Sequence, residues 1–169
     1  QELNLSDAVD VLIDQFYEAA GNQGGGYLDG YIDPVNLLPK EENPNSNFME
    51  ILYIDNDPVP ASENEESALL AEYFAKLLIE TLDEDEDRFF KEGTADLASF
   101  VTGYADTSKL YRVNSNNSIS IWGDITNIEE HNDVFVFFEY LYEHYFSDPA
   151  DLQVLLQDTL NGMAGINSA

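Results

Sequence analysis

Leu69-Leu70-Ala71-Glu72-Tyr73-Phe74-Ala75-Lys76-Leu77-Leu78, followed after an acidic interval by Phe89-Phe90-Lys91-Glu92-Gly93-Thr94-Ala95-Asp96, carries two successive helical patterns. Upstream, Ser62-Glu63-Asn64-Glu65 matches a capping box, in which the Ser side chain and the Glu three residues later satisfy orphan amides at a helix start. The first helix is therefore expected over 63–82, with Leu69, Leu70, Tyr73, Phe74, Leu77 and Leu78 on its apolar side. Asp83-Glu84-Asp85-Glu86-Asp87 repels itself and breaks that helix. A second helix is expected over 88–104, carrying Phe89, Phe90, Leu97, Phe100, Val101 and Tyr104.

Outward from this pair, Ser6, Ala8, Val9, Leu12, Ile13, Phe16 and Tyr17 recur at helical spacing and stop at Gly24-Gly25-Gly26, which predicts a helix over 5–20. Phe48 to Ile54 is the best strand candidate, bounded by turn formers on both sides, and a small sheet is expected within about 27–60, lying against the 63–82 helix. Residues 105–117 read as loop and Ser118 to Trp122 as a short strand. Val134-Phe135-Val136-Phe137-Phe138 has strand propensity, but its continuation through Glu139, Glu143 and His144 favours a helix over 133–146. Asp148-Pro149 then opens a final helix over 149–160. The fold class read from these elements is α+β, mostly helical with a small mixed sheet, in a single domain spanning 1–169.

The chain has 34 Asp plus Glu against 6 Lys plus Arg, a formal net charge of −28. Phosphate backbones and anionic membrane surfaces are bound by clustered cations, and the six here are scattered, so nucleic-acid binding is excluded. No apolar run approaches the roughly 20 residues that span a bilayer, and no membrane insertion is expected. With 44 % hydrophobic and 12 % aromatic residues, the chain has the material for a core, unlike a disordered acidic tail. Such acidity suits either life in salt or an acidic surface protein. The absence of cysteine removes disulfides, thiolate metal sites and a cysteine nucleophile together.

The two quoted segments resemble the active-site helices of the gluzincin metallopeptidases, the hyicolysin and immune inhibitor A-like secreted proteases among them. In that family one helix carries H-E-x-x-H, whose two His hold Zn²⁺ from one helix face while the Glu serves as general base, and the next helix supplies a glutamate ligand. The resemblance implies a zincin-like fold over roughly residues 6–169, with Phe48 to Ile54 in the place of the substrate-edge strand. It also implies an extracellular or cell-surface location. Because the chain begins at Gln1 and ends where such proteases often continue, a mature form or a fragment of a longer chain is expected. Glu92 falls at the third-ligand position and Asp96 one turn later. At the positions of His, Glu and His stand Glu72, Tyr73 and Lys76. Both imidazoles and the general base are gone, and a Lys ammonium repels a divalent cation.

The expectation is thus a catalytically inactive, metallopeptidase-like domain, a pseudopeptidase acting in binding or as a structural module on an unknown protein or peptide. No catalytic residue is expected at the degenerate positions, and no zinc cofactor. Lys76 is expected to compensate the charge of Glu72 and Glu92. Without any family, Glu72 and Lys76 form an i to i+4 pair on a helix face, contributing about 0.3 kcal/mol. A first alternative is a peptidase or other hydrolase with a carboxylate-based site for a harder metal, for which Glu72, Glu92 and Asp96 are the weak candidates. A second is an acidic cation-binding surface domain. Asp83-x-Asp85-x-Asp87 begins like a calcium loop, but Arg88 stands at the sharp-turn glycine and Thr94 at the bidentate Glu, so a solvated acidic linker is expected. Asp29 with Asp33, and Asp55 with Asp57, make oxygen-rich turns suited to weakly bound Ca²⁺ without specific spacing. His131 and His144 lie 13 residues apart, which suits no shared site on one helix face. The stripe of Phe135, Phe138, Leu141, Tyr142 and Tyr145 reads as core.

Overall fold

The computed structural model describes residues 8–14, 29–56, 62–104, 118–119, 128–146 and 160–168. In chain order these form strands β1 (Asp10–Asp14) and β2 (Gly30–Tyr31), a single 3-10 turn over Pro34–Leu37, strand β3 (Ile51–Asp55), and helices α1 (Glu63–Leu82), α2 (Arg88–Val101), α3 (Ile128–His144) and α4 (Gly162–Ser168). The class is α+β, mostly helical, with a small mixed sheet of order β1-β3-β2. β1 runs parallel to β3 with Leu12 opposite Tyr53, and β2 runs antiparallel with Tyr31 opposite Tyr53.

The N-terminal reading is corrected at β1. Residues 10–14 are extended, and the part of the expected helix at 5–7 and 15–20 lies outside the described residues. The apolar run Val11-Leu12-Ile13 satisfies either period. The ladder to β3, about forty residues later in the chain, decides in favour of the strand that its β-branched residues prefer. The sheet accordingly extends beyond 27–60. β3 is also its central strand, flanked by β1 and β2, and so does not take the edge position expected for Phe48 to Ile54. It starts late, at Ile51, because Phe48 takes a left-handed φ of 53°. That turn is held by the Ser46 hydroxyl, which accepts the Phe48 amide at 2.8 Å, and by the Asn36 carbonyl, which accepts the Met49 amide at 2.9 Å.

Helix α1 has the expected bounds. The Ser62 hydroxyl accepts the Glu65 amide at 3.2 Å, and Glu63, Glu65 and Glu66 suit the positive end of the helix dipole. Leu52 and Ile54 of β3 pack on Tyr73 and Leu77 of α1, one of two apolar clusters. Phe74, expected on the apolar side, is exposed. Helix α2 ends at Val101, three residues short of the expected 104, in a Schellman motif. Gly103 at φ 82° donates to the Phe100 carbonyl and Tyr104 to that of Ser99, which closes the helix and leaves Val101 and Tyr104 exposed.

The second cluster joins α2 to α3 through Phe89, Phe90, Leu97, Val134, Phe138 and Leu141. The aromatic run is helical as read. α3 begins earlier than 133, at Ile128, and Tyr145 at its end is exposed rather than core. Ser118 and Ile119 are not in a strand, and the remainder of 118–122, the loop 105–117 and the helix expected over 149–160 fall outside the described residues, apart from Leu160, which is not helical. The acidic linker is only partly solvated, since Glu86 is buried. Its carboxylate accepts the Asp87 amide at 2.5 Å and that of Gly162 at 2.6 Å, while the Asn161 side chain donates to the Asp85 carbonyl, also at 2.6 Å. These bonds moor the short α4 on the turn between α1 and α2.

Gly93 sets the α2–α3 distance, because a Cβ there would meet the Phe138 ring and lie 2.6 Å from the Val134 side chain. Ala gains about 1 kcal/mol of helix propensity over Gly, but overpacking costs roughly 1–3 kcal/mol. Gly93→Ala is therefore expected to lower stability by up to about 2 kcal/mol, read as a reduced urea midpoint at unchanged slope.

Candidate functional site

The α1–α2 hairpin brings one ammonium between two carboxylates. Positions 72 and 76 lie one turn apart on α1, and the Lys76 amine is 2.9 Å from Glu72 Oε1. From α2, Glu92 Oε2 approaches the same amine to 2.8 Å. The three side chains are largely buried, at 18 % exposure for Lys76, 16 % for Glu72 and 17 % for Glu92. The amine also sits 4.6 Å from the centroid of the Tyr73 ring, a cation–π contact. Burial alone would push the ammonium down, but Glu72 and Glu92, by charge and by hydrogen bonding, outweigh it and hold the amine above the usual lysine range.

Tyr73 points toward the sheet. Its ring fills the space that Gly30 leaves open on β2, where a Cβ would come within 2.6 Å of Cε2. Its hydroxyl donates to Asp29 Oδ1 at 2.6 Å. Burial, followed by the negative charge of Asp29 and Glu72 and the hydrogen bond to Asp29, pushes the phenol far above the ordinary tyrosine range. The group is therefore a hydrogen-bond donor that keeps its proton.

This arrangement separates the sequence candidates. Glu72, Tyr73, Lys76 and Glu92 come together as one cluster. Asp96 is half-buried one turn along α2 and is not among the partners of Lys76. Asp29 joins the cluster through Tyr73, and its carbonyl accepts the Asp55 amide at 2.9 Å. Asp33 instead caps the 3-10 turn, its Oδ1 accepting the Val35 amide at 3.0 Å, and Asp57 lies outside the described residues. His131 and His144 both belong to α3, so their 13-residue separation corresponds to about 20 Å along the axis. His144 is exposed against the Tyr140 ring, and the His131 side chain lies outside the described residues.

Two participants were not legible in the sequence. Lys91 pairs with Glu80 Oε1 at 2.7 Å and donates to the Glu84 carbonyl at 2.7 Å, closing the acidic turn and fixing the register that delivers Glu92. The only cue was a second cation, three residues after Arg88, beyond a run of five acids. The partnership of Tyr73 with Asp29 spans 44 residues and left no local signal.

The donor set does not fit the zinc of the gluzincin pattern. Where two imidazoles and a base would stand, there are a carboxylate already paired with an ammonium, a protonated phenol and the ammonium itself. Zn²⁺ between Glu72 and Glu92 would have to displace or deprotonate Lys76. Tyr73 and Lys76 retain their protons, and the Lys76 amine engages one oxygen of each carboxylate, Oε1 of Glu72 and Oε2 of Glu92. Among the described residues no group of three or more His, Asp or Glu is arranged to hold a metal ion. Among them, too, no helix is long and apolar enough to cross a membrane. The chain matches no protein-family profile and no curated protein.

Proposed function

We propose that this is a zincin-like domain in which an internal ammonium replaces the catalytic metal, a pseudopeptidase that acts by binding a protein or peptide or as a structural module. The observation that carries the reading is the position of the Lys76 amine, within 3 Å of both Glu72 and Glu92. In a zinc peptidase the charge of such a carboxylate is balanced by the ion, and here Lys76 balances it at the residue position of a missing ligand. The gluzincin resemblance and the α1–α2 hairpin support the fold side of the proposal, and the protonated Tyr73 at the general-base position supports the loss of hydrolysis.

Zinc titration of the purified chain tests it. A site with a Kd near 1 µM would gain about 2.7 kcal/mol at a hundredfold excess of metal, which raises Tm by roughly 5–10 °C in a domain of this size. No such rise is expected here, and no chelator-sensitive cleavage of casein. A stoichiometric, chelator-reversible rise in Tm that disappears in Glu92→Gln, accompanied by casein cleavage, would contradict the reading.

A further inference from the structure

Among the described residues, the sheet edge away from the Lys76 cluster carries no further strand. In the parallel ladder, the Asp10 amide donates to the Glu50 carbonyl at 2.9 Å, and the Asn56 amide donates to the Asp14 carbonyl at 3.1 Å. Bonding alternates along a strand, so Asp10, Leu12 and Asp14 turn their main-chain groups toward β3, while Val11 and Ile13 turn theirs outward. Among the described residues no strand pairs with that side and no hydrogen bond engages those four groups. The flanking side chains are open as well, with Val11 46 %, Leu12 47 % and Ile13 49 % exposed. Exposed edges are usually blunted by charged side chains, Pro, a bulge or a covering element; here, among the described residues, the only such device is the Asp at each end, and Val-Leu-Ile between them has none.

Charge selects the occupant. The charges of the segment are symmetric about Leu12, so a second copy paired antiparallel across a two-fold axis would set each Asp10 opposite the partner copy's Asp14. Like charges directly opposite are destabilising, and each copy carries −28 overall. Asp10, Leu12 and Asp14 share one sheet face, which asks for a cation, an apolar residue and a cation at alternate positions of the incoming strand. This chain has no two cations four residues apart, since its Lys and Arg stand at 40, 76, 88, 91, 109 and 112. We infer that β1 is a strand-addition site for an extended segment of another protein, bearing Lys or Arg at positions i and i+4 around three apolar residues. Main-chain bonds to Val11 and Ile13 provide affinity, and Asp10 and Asp14 provide selectivity. The inference is independent of the Lys76 reading, because β1 and the Tyr73-backed β2 are opposite edges of the sheet.

Fluorescence anisotropy of the full chain with a labelled Gly-flanked Lys-Val-Leu-Val-Lys peptide tests it. Saturable binding is expected, weaker by at least about tenfold for Glu-Val-Leu-Val-Glu and for a peptide N-methylated on the amides that face β1. Asp10→Lys/Asp14→Lys, two exposed positions at the strand ends, is expected to reverse the preference between the Lys and Glu peptides. Three results would overturn the proposal: no saturation at millimolar peptide, equal binding of the N-methylated peptide, which marks attraction by net charge alone, or a dimer in sedimentation that the Lys peptide does not dissociate.

Discussion

Lys76→Met is expected to lower the stability of the chain by about 3 kcal/mol, at the low end of the 3–5 kcal/mol range for removing one partner of a buried ion pair. Met keeps the aliphatic stem and removes the charge. Glu72 and Glu92, both held within 3 Å of the lost amine, are then left facing each other with little access to water. The low end applies because each side chain retains about a sixth of its surface. The triple variant Glu72→Gln/Lys76→Met/Glu92→Gln removes the unbalanced charge and is expected to recover most of the loss, since replacing a whole buried ionic group is often neutral. Urea denaturation of the two variants beside the parent separates these outcomes. A loss under 1 kcal/mol for Lys76→Met would mark an ordinary surface pair.

Alkaline pH is expected to act on the same cluster with comparable force. Lys76 and Tyr73 both hold their protons more tightly in the folded chain than in the unfolded one. The stability they contribute is therefore complete below the unfolded values near pH 10, and it drains away as the pH rises toward the folded ones. Each group contributes a slope of about 1.4 kcal/mol per pH unit in that window, so the two together approach 2.7 kcal/mol per unit. Tyr73→Phe and Lys76→Met should each remove one share of this slope while lowering stability at neutral pH. Equal slopes in parent and variants above pH 10.5 would show that neither group is linked to folding.

What the sequence disclosed follows the range of the interactions concerned. Helix α1 was legible to the residue because its start signal, Ser62 with Glu65, and its apolar period are local. The meeting of Lys76 with Glu92 was anticipated as well: helical spacing sets Glu72 beside Lys76, while the resemblance implied that the next helix brings Glu92 to the same place. β1 was not, since Val11-Leu12-Ile13 fits both periods and its identity is settled by β3. The buried role of Glu86 was equally hidden, because the amide it accepts belongs to Gly162, 76 residues further along the chain. Asp29 looked like one of several oxygen-rich turns until Tyr73 was seen to donate to it. In each miss a distant partner decided the outcome between local readings that the residues alone left balanced.

The most direct measurement of the central claim is an NMR pH titration of the Lys76 side chain, followed at its Cε and Nζ resonances with and without excess zinc. An ammonium locked between Glu72 and Glu92 predicts a resonance that keeps its charged position past pH 10.5 and does not respond to the metal. Deprotonation below pH 9, or displacement of the resonance by one equivalent of zinc, would contradict the account.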